Sequence, residues 1–147
     1  MKTINIKTEQ DTQVFAQKLA KSLKGGEIIA LEGELGAGKT TLTQYVAKAL
    51  RVKENVTSPT FVLLKVYEVR SPKAEVRRLV HVDCYRLDDP QELFYLGIEE
   101  YLNKKDAVVI IEWADKIKAY LKKFKKITWI KIDIKNKARL IKLRSKI

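Results

Sequence analysis

The sequence predicts an α/β fold in which a mixed, mainly parallel β-sheet lies between two layers of helices, with β-hairpins added to the sheet. Two observations carry this prediction. Residues 27–32 and 107–113 are short, mostly apolar runs, which are typical of strands buried on both faces. Amphipathic helical patterns flank the first run, and β-rich runs joined by turn residues flank the second. We therefore expect one three-layer domain spanning residues 1–147.

The first half of the chain is predicted to run strand, helix, strand, helix. Residues 2–7 alternate like a strand, and Thr8 is a suitable N-cap for a helix that extends to about Lys24. Gly25-Gly26 should end this helix. Its predicted buried stripe is Val14, Phe15, Leu19 and Leu23. After the first apolar strand, a second helix is predicted from apolar residues at helical spacing: Leu42, Tyr45, Val46, Ala49 and Leu50.

The second half is predicted to contain two hairpins and short helices. Residues 61–70 and 76–83 are β-rich and are joined by the turn residues 71–75, and residues 127–134 and 139–143 flank a second turn at 135–137. Between these hairpins, Asp89-Pro90-Gln91-Glu92 has the pattern of a capped helix start, and Gly97 should end that helix. A further short helix is expected near residues 115–122.

The composition indicates an ordinary globular protein of the cytosol. Of 147 residues, 46% are hydrophobic and 33% charged, and no apolar run approaches the roughly 18 residues of a membrane span. The N-terminal residues alternate and lack the long apolar stretch of a secretory signal. Cys84 is the single cysteine, so it forms no internal disulfide, and we expect it to be a small core residue. We predict a cytoplasmic protein with no membrane association.

Residues 33–40, Gly-Glu-Leu-Gly-Ala-Gly-Lys-Thr, match the P-loop pattern G-x-x-x-x-G-K-[ST] between a strand and a helix. The glycines allow a tight turn that directs backbone N–H groups and the positive end of the helix dipole at phosphates. Lys39 should add charge near the β- and γ-phosphates, Thr40 should ligate Mg²⁺, and Thr41 should donate to a phosphate. The predicted cofactors are ATP and Mg²⁺. The predicted phosphate-binding residues are Gly36, Ala37, Gly38, Lys39, Thr40 and Thr41.

A P-loop requires a carboxylate at the end of a neighbouring buried strand, where it holds Mg²⁺ or the waters around it. Asp83 closes one apolar strand and Glu112 closes another. Both should lie at the carboxyl ends of core strands, where ligands of such sheets bind. The pattern does not rank the two, and either is alternatively a hydrogen-bonded structural acid. Asp83, Glu112 and Lys39 are the predicted catalytic residues.

Other polar and aromatic residues near these motifs are weaker candidates. The segment Thr57-Ser58-Pro59-Thr60 is similar to a phosphate-sensing switch loop in which threonine hydroxyls reach Mg²⁺ or the γ-phosphate, and a plain proline turn is an equal alternative. His81 alternates with apolar neighbours and has no evident partner, so we expect a structural role. Trp113 should either lie near the nucleotide or simply pack.

The net charge of +12 is concentrated in the C-terminal part of the chain. Residues 116–147 hold 13 Lys and Arg but one acid, Asp133, whereas residues 1–115 hold 17 groups of each sign. This excess predicts attraction to a polyanion such as RNA, and a solvated lysine-rich face is an equal alternative.

Taken together, these residues resemble the TsaE (YjeE) family. The resemblance rests on the P-loop, on residues 57–61 (Thr-Ser-Pro-Thr-Phe), and on residues 81–87 (His-Val-Asp-Cys-Tyr-Arg-Leu). It continues through residues 89–93 (Asp-Pro-Gln-Glu-Leu), Gly97-Ile98 and Ile111-Glu112-Trp113. Each block after the P-loop is weak alone, but the series, which spans about residues 27–113, is specific. The two ends of the chain match only loosely.

The resemblance implies a bacterial P-loop ATPase that supports threonylcarbamoylation of the adenosine beside the anticodon in tRNAs (t6A). In that family the ATPase binds a complex of TsaB and TsaD, and ATP hydrolysis is thought to reset the complex between turnovers. It implies that Lys39 binds phosphates, that Thr40 and Glu112 ligate Mg²⁺, and that Asp83 orients water. The switch-like loop would comprise Thr57, Ser58 and Thr60. Adenine is expected near the first helix and the last hairpin, with Thr12 and Asn136 as guesses.

Two other readings of the sequence stay open at this point. A small-molecule kinase uses the same loop, but it usually carries an arginine-bearing lid, and no lid insertion is evident here. A nucleic-acid binder with a remnant P-loop is supported only by the basic C-terminal part.

Overall fold

The computed structural model describes residues 1–71 and 75–145 of the chain. In these residues the strands are β1 (Lys2–Ile6), β2 (Ile28–Glu32), β3 (Leu64–Glu68), β4 (Arg78–Asp83), β5 (Ala107–Glu112), β6 (Ile127–Lys135) and β7 (Ala138–Ser145). The α-helices are α1 (Glu9–Ser22), α2 (Lys39–Ala49), α3 (Gln91–Tyr95) and α4 (Lys118–Leu121). Short 3₁₀ turns lie at Ile98–Glu100 and Ala114–Ile117. Within the described ranges, no helix has both the length and the apolar character needed to cross a membrane.

The strands form one seven-stranded mixed sheet in the order β1-β7-β6-β2-β5-β4-β3. The four central strands, β6, β2, β5 and β4, are parallel to one another, and the outer pairings are antiparallel. Both predicted hairpins are confirmed, as β3–β4 and β6–β7. Residues 72–74 of the first predicted turn lie outside the described residues.

Helices cover both faces of the sheet, so the predicted three-layer α/β architecture is confirmed. Helices α1 and α2 pack on one face, where Phe15 and Leu42 join strand residues in a buried apolar cluster. Helices α3 and α4 and the 3₁₀ turns pack on the other, through residues such as Leu93 and Leu121. Every residue of β5 is buried. A strand covered on both faces has no solvent side, which explains its continuous apolar sequence.

Helix α1 follows the prediction at its start but not along its length. The Thr8 hydroxyl accepts a hydrogen bond from the Asp11 N–H at 3.2 Å, and the Asp11 carboxylate accepts one from the Thr8 N–H at 3.0 Å, so the N-cap is confirmed. The helix ends at Ser22 rather than at Lys24. The prediction that Val14 is buried is wrong, since it is 40% exposed. Alanines at positions 16 and 20 face the core beside Phe15 and Leu19 instead, so the buried stripe is rotated away from Val14.

The parallel strands bring their carboxyl ends to one edge of the sheet. Strand β2 ends at Glu32 and runs directly into the glycine-rich loop, while β4 and β5 end side by side, with Asp83 and Glu112 opposite each other in register. Strand β6 flanks β2 on its other side. The glycine loop therefore lies between two strand-end carboxylates and the last hairpin.

Candidate functional site

The loop of residues 33–38 joins β2 to α2 and leaves the first turn of that helix without a side-chain cap. Gly38 is the N-cap, with φ of 107°, and among the described residues this helix start has no side-chain cap hydrogen bond. Uncapped N–H groups at a helix start are an anion-binding arrangement. At the other end of the loop, Gly33 has φ of 152°, and a Cβ there would lie 2.6 Å from the carbonyl oxygen of Ile132. Only glycine permits this close contact with β6.

A cleft of about 240 Å³ opens in front of this helix start. It brings together most of the site residues that the sequence predicts. From the loop and α2 come Leu35, Gly36, Gly38, Lys39, Thr40 and Thr41, and from the facing segments come Ser58, Thr60, Asp83, Tyr85, Glu112 and Trp113. Of the predicted site residues, Ala37 and Thr57 do not line this cleft.

The Lys39 ammonium group lies on the glycine loop in this structure. Its Nζ donates hydrogen bonds to the carbonyl oxygens of Gly33 at 2.6 Å and Glu34 at 3.0 Å, and it lies 4.0 Å from the centre of the Trp113 ring. Desolvation lowers the pKa of Lys39 below its ordinary value, and the negative charges of Glu112 and Asp83 oppose this effect. A cation that is partly desolvated and held by neutral carbonyls is well suited to receive an anion.

Thr40 and Glu112 form a direct contact across the floor of the cleft. The Thr40 hydroxyl donates to Glu112 Oε1 at 2.7 Å, and Glu112 is buried. A hydroxyl beside a carboxylate supplies the hard oxygen ligands that Mg²⁺ prefers, so these residues fit the expected metal. In residues 1–71 and 75–145, no group of three or more His, Cys, Asp and Glu side chains is arranged to hold a metal alone. The remaining ligands of a cation here would therefore be phosphate and water oxygens.

Asp83 is bonded to the predicted switch loop rather than to α2. Its Oδ2 accepts hydrogen bonds from the hydroxyls of Ser58 at 2.8 Å and Thr60 at 3.1 Å, and its Oδ1 accepts one from the Tyr85 N–H at 2.9 Å. The two strand-end carboxylates therefore have different partners in the structure, a difference that the sequence did not predict. Glu112 lies next to Thr40, and Asp83 lies next to the loop. Of the three residues predicted for the switch-like loop, Ser58 and Thr60 contact Asp83, whereas Thr57 is exposed and does not line the cleft.

His81 is bonded to Glu112, so the expectation that this histidine has no partner is wrong. Its Nε2 hydrogen-bonds Glu112 Oε2, and both side chains are buried. His81 lies within one apolar run of the sequence and Glu112 ends another, but their contact depends on β4 and β5 being neighbours in the sheet. Strand order was not predictable from the sequence, and no local pattern links the two residues.

Two further expectations concern Cys84 and Trp113. Cys84 is fully buried in the core beneath α3, as expected, and desolvation raises the pKa of its thiol to about 12. Trp113 directly follows β5 with φ of 57°, and its ring lies 5.0 Å from that of Tyr85, centre to centre. Trp113 lines the cleft and also packs, partly buried, against the apolar cluster beside it, so both expectations for this residue hold.

A second cleft of about 280 Å³ adjoins the first and shares Gly36, Gly38 and Thr41 with it. It lies between the start of α1 and the last hairpin, where Thr12, Lys137 and Arg139 line it. Asn136, one of the two guesses for this region, is exposed at the hairpin turn and does not line the cleft.

Arg139 is a residue of this region that the sequence analysis missed. Its Nε and Nη2 donate to the carbonyl oxygens of Ala37 at 3.1 Å and Gly36 at 3.3 Å. The last hairpin therefore braces the glycine loop from outside the motif. In the sequence, Arg139 is one of many basic residues near the C-terminus, so nothing there distinguishes it.

Residues 6–142 match the family model of the threonylcarbamoyl adenosine biosynthesis protein TsaE. Among curated relatives, the "tRNA threonylcarbamoyladenosine biosynthesis protein TsaE" of Rickettsia prowazekii is 41% identical over 122 residues, which are 82% of this chain and 78% of the relative. The protein of the same name from Aquifex aeolicus is 38% identical over 120 residues, covering 80% of each chain. The crystal structure of Bacillus subtilis YdiB superposes with a TM-score of 0.71 at 29% identity, covering 95% of this chain and 82% of that one.

Proposed function

This chain belongs to the TsaE family, whose proteins act in tRNA threonylcarbamoyladenosine biosynthesis, and on that premise we propose that it is a magnesium-dependent ATPase serving this modification. One observation carries the proposal: the Thr40 hydroxyl and the Glu112 carboxylate lie 2.7 Å apart, beside an uncapped helix start. In P-loop NTPases, a hydroxyl of the loop and a strand-end carboxylate together hold the metal of the bound nucleotide.

The phosphates of ATP are proposed to bind in the first cleft. The free N–H groups after Gly38 face it, and Lys39 can exchange the loop carbonyls for phosphate oxygens. The nucleoside is proposed to extend into the second cleft, which shares Gly36 and Gly38 with the first and contains Thr12 at its α1 side. Two adjoining clefts that meet at the glycine loop match a ligand with an anionic half and a heterocyclic half.

Each carboxylate has its own role in this proposal. Glu112 and Thr40 hold Mg²⁺, which when bound supplies charge neutralisation on the phosphates. Asp83 orients the attacking water from the facing side, because Ser58 and Thr60 hold its carboxylate toward the cleft. The oxygen of that water bonds to the γ-phosphorus as the bond to the bridging oxygen breaks. ADP leaves, and the proton of the water is released with the phosphate.

Basal ATP hydrolysis tests these assignments. Lys39→Ala and Glu112→Ala should each lower the rate by at least about 100-fold, since the first removes a positive charge from the transferring phosphate and the second removes a proposed ligand of Mg²⁺. Lys48→Ala is the matched control, because Lys48 is an exposed lysine at the far end of the same helix and should leave the rate unchanged. Unaltered turnover in both site variants would remove the assignment.

The proposed protein partner is a complex of TsaB and TsaD. ATP hydrolysis by this chain would reset that complex between turnovers. Exposed apolar side chains flank the first cleft: Leu35 is 72% exposed, and Phe61, adjacent to Thr60, is 85% exposed. Both belong to segments that touch the nucleotide in this proposal, namely the glycine loop and the switch-like loop. A partner that covers them would therefore respond to what the cleft contains.

Stimulation of ATP hydrolysis by added TsaB and TsaD tests this partner. Phe61→Asp should abolish the stimulation, because it places a charge in the apolar contact. Tyr95→Asp is the matched control, since Tyr95 is 86% exposed but lies in α3, which contributes no residue to the cleft. An unstimulated wild-type protein, or stimulation that persists in Phe61→Asp, would contradict the proposed contact.

Contact with tRNA is proposed at the opposite end of the sheet. The basic C-terminal part divides in the structure: exposed Lys125 and Lys126 precede β6, whereas Lys135 and Lys137 flank the hairpin turn near the second cleft. The starts of β2, β5 and β6 lie side by side, because the N–H groups of Gly26 and Ile28 donate to the carbonyl oxygens of Ala107 and Lys126. Three other exposed lysines therefore lie at the same edge as Lys125 and Lys126, namely Lys24, Lys104 and Lys105. A cluster of exposed lysines at this edge fits a phosphate backbone.

The salt dependence of tRNA binding tests this surface. Reversing Lys125 and Lys126 to Glu should weaken tRNA binding and flatten its dependence on salt, because each lost phosphate contact reduces the slope by about one. Reversing Lys135 and Lys137 removes the same charge from the other end and should change binding much less. Equal effects of the two pairs would indicate general attraction instead of a surface. Strong RNA binding without any ATP hydrolysis would favour a nucleic-acid binder with a remnant P-loop.

A further inference from the structure

His81 is a buried histidine that contacts a residue of the first cleft without lining the cleft itself. Its side chain is 0% exposed, and its Nε2 hydrogen-bonds Glu112 Oε2. In the sheet, His81 pairs with Ile110, and Glu112 lies two residues further along β5 on the same face. The contact is therefore a diagonal one between neighbouring parallel strands, beneath the floor of the cleft.

Glu112 receives one hydrogen bond on each carboxylate oxygen. Oε2 faces His81, and Oε1 faces the Thr40 hydroxyl at 2.7 Å. A carboxylate with a single bonded oxygen is free to rotate about its last bond, whereas one bonded at both oxygens has a fixed plane. His81 thus determines which oxygen remains directed at Thr40.

The second ring nitrogen of His81 specifies what the histidine does. Nδ1 is buried and has no hydrogen-bond partner within the part of the chain that the structure describes. Nε2 faces a carboxylate oxygen, which accepts hydrogen bonds, so Nε2 is the donor of this bond. Since the ring has no access to the cleft, His81 acts as a hydrogen-bond donor toward Glu112 and not as an acid or base toward the ligand.

We propose that His81 is the positioning residue of the metal site: its Nε2–H orients Glu112 so that Oε1 and the Thr40 hydroxyl form a ready pair of ligands. The inference rests on the proposed function, in which Thr40 and Glu112 hold Mg²⁺. Hydrogen-bond partners of metal-ligating carboxylates contribute to metal affinity by fixing the ligand before the ion arrives. This role is absent from the sequence motif, which names the ligands and not their support.

Three substitutions of His81, with one control elsewhere in the core, distinguish a positioning role from a packing role. His81→Gln carries an amide N–H at about the same distance from the backbone as Nε2, so it retains the donor toward Glu112. His81→Asn carries the same amide one bond closer to the backbone, out of reach of Glu112, and is its matched control. His81→Leu fills the space without any donor. Tyr67→Phe controls for altering a buried polar atom of the same core, since the Tyr67 hydroxyl is also unpartnered among the described residues.

The decisive measurement is binding of Mn²⁺ in the presence of saturating ADP, followed by electron paramagnetic resonance, alongside ADP binding in EDTA. His81→Asn and His81→Leu should weaken Mn²⁺ binding by about 10- to 100-fold. His81→Gln should stay within about threefold of the wild-type protein, and Tyr67→Phe should equal it. ADP binding without metal should be the same in all variants, because His81 touches neither the glycine loop nor the second cleft.

Each outcome decides the proposal. Equal Mn²⁺ affinity in His81→Gln and His81→Asn overturns it, as does a loss of metal-free ADP binding that matches the loss of Mn²⁺ binding. Because both amide variants bury the same polar group, this comparison holds even if His81→Leu does not fold. If the wild-type protein binds ADP but no Mn²⁺, or binds neither, the metal-dependent function itself fails and the positioning role fails with it. If the wild-type protein binds both and the variants do not differ, only the role of His81 is removed.

Discussion

Replacing Thr40 by valine tests the contact on which the proposed metal site depends. Valine has nearly the shape of threonine but no hydroxyl, so the substitution removes the donor that lies 2.7 Å from Glu112 Oε1. Glu112 is 2% exposed, so water cannot readily replace the lost partner. A hydrogen bond to a charged group contributes about 1.5–3 kcal/mol. At about 2–4 °C per kcal/mol for a domain of this size, Thr40→Val should lower the melting temperature of the ligand-free protein by roughly 3–12 °C.

A double-mutant cycle with Glu112→Leu isolates this energy. Urea unfolding of the wild-type protein, both single variants and the double variant gives the coupling between the two side chains. Once Glu112 is leucine, Thr40→Val should cost no more than a few tenths of a kcal/mol, because the hydroxyl then has no carboxylate to meet. Thr41→Val serves as the neighbouring control for stability, since its hydroxyl is on the same helix turn but does not contact Glu112.

The same variants connect stability to the ligand. Adding Mg²⁺ to the ADP-bound wild-type protein should raise its melting temperature above that with ADP and EDTA, because a ligand that binds only the folded state stabilises it. Thr40→Val should abolish this increment while retaining the part due to ADP alone. Equal costs of Thr40→Val in both backgrounds, within about 0.5 kcal/mol, would refute the contact with Glu112. A magnesium increment that persists in the variant would refute the role of Thr40 in metal binding.

Three further predictions follow from contacts around the site. Desolvation raises the pKa of the Cys84 thiol from 9.0 to about 12, so the thiol ionises in the unfolded state first and the free energy of unfolding falls as pH rises between these values. In urea unfolding, the wild-type protein should lose about 1 kcal/mol more than Cys84→Ala between pH 8 and pH 10. In urea unfolding, Gly33→Ala should lower the unfolding free energy by at least about 2 kcal/mol, because its Cβ would lie 2.6 Å from a carbonyl oxygen of β6. Gly36→Ala, whose Cβ would meet nothing within 4 Å, should cost about 1 kcal/mol for its backbone conformation alone, and equal losses in the two variants would contradict this. In calorimetry, Arg139→Met should weaken ADP binding about tenfold, because it removes two hydrogen bonds to the glycine loop. Lys142→Met is the control on the same strand: Lys142 pairs with Asp133, so its loss should leave ADP binding unchanged.

The sequence predicts those features that local chemistry determines. The apolar run of β5 predicts a strand buried on both faces, and the glycine spacing of residues 33–38 predicts the loop and the helix that follows. Thr8 predicts the start of α1 because its cap involves a residue only three positions away. Interactions over short distances in the chain are encoded in short patterns, and these were confirmed.

Features that depend on strand order were beyond the sequence. The bond between His81 and Glu112 joins residues 31 positions apart and requires β4 and β5 to be neighbours in the sheet. The contact of Ser58 with Asp83 joins a loop residue to the end of β4, 25 positions away, and no local pattern predicts it. Arg139 reaches the glycine loop only because the last hairpin is inserted beside β2. Val14 was misassigned for a related reason: which flank of a helix faces the core depends on what lies beneath it.

The pairing of the first strand with the last has a consequence for how this chain acquires its structure during synthesis. Strand β1 leaves the ribosome long before β7, its partner in the sheet, in which Leu143 pairs with Lys2. Until β6 and β7 emerge, β1 is unpaired, and the glycine loop lacks both the hydrogen bonds from Arg139 and the strand it packs against. Closing so large a loop is slow compared with local helix formation. Nascent chains should therefore bind nucleotide only after the β6–β7 hairpin has emerged. The onset of nucleotide binding would then report when folding is complete.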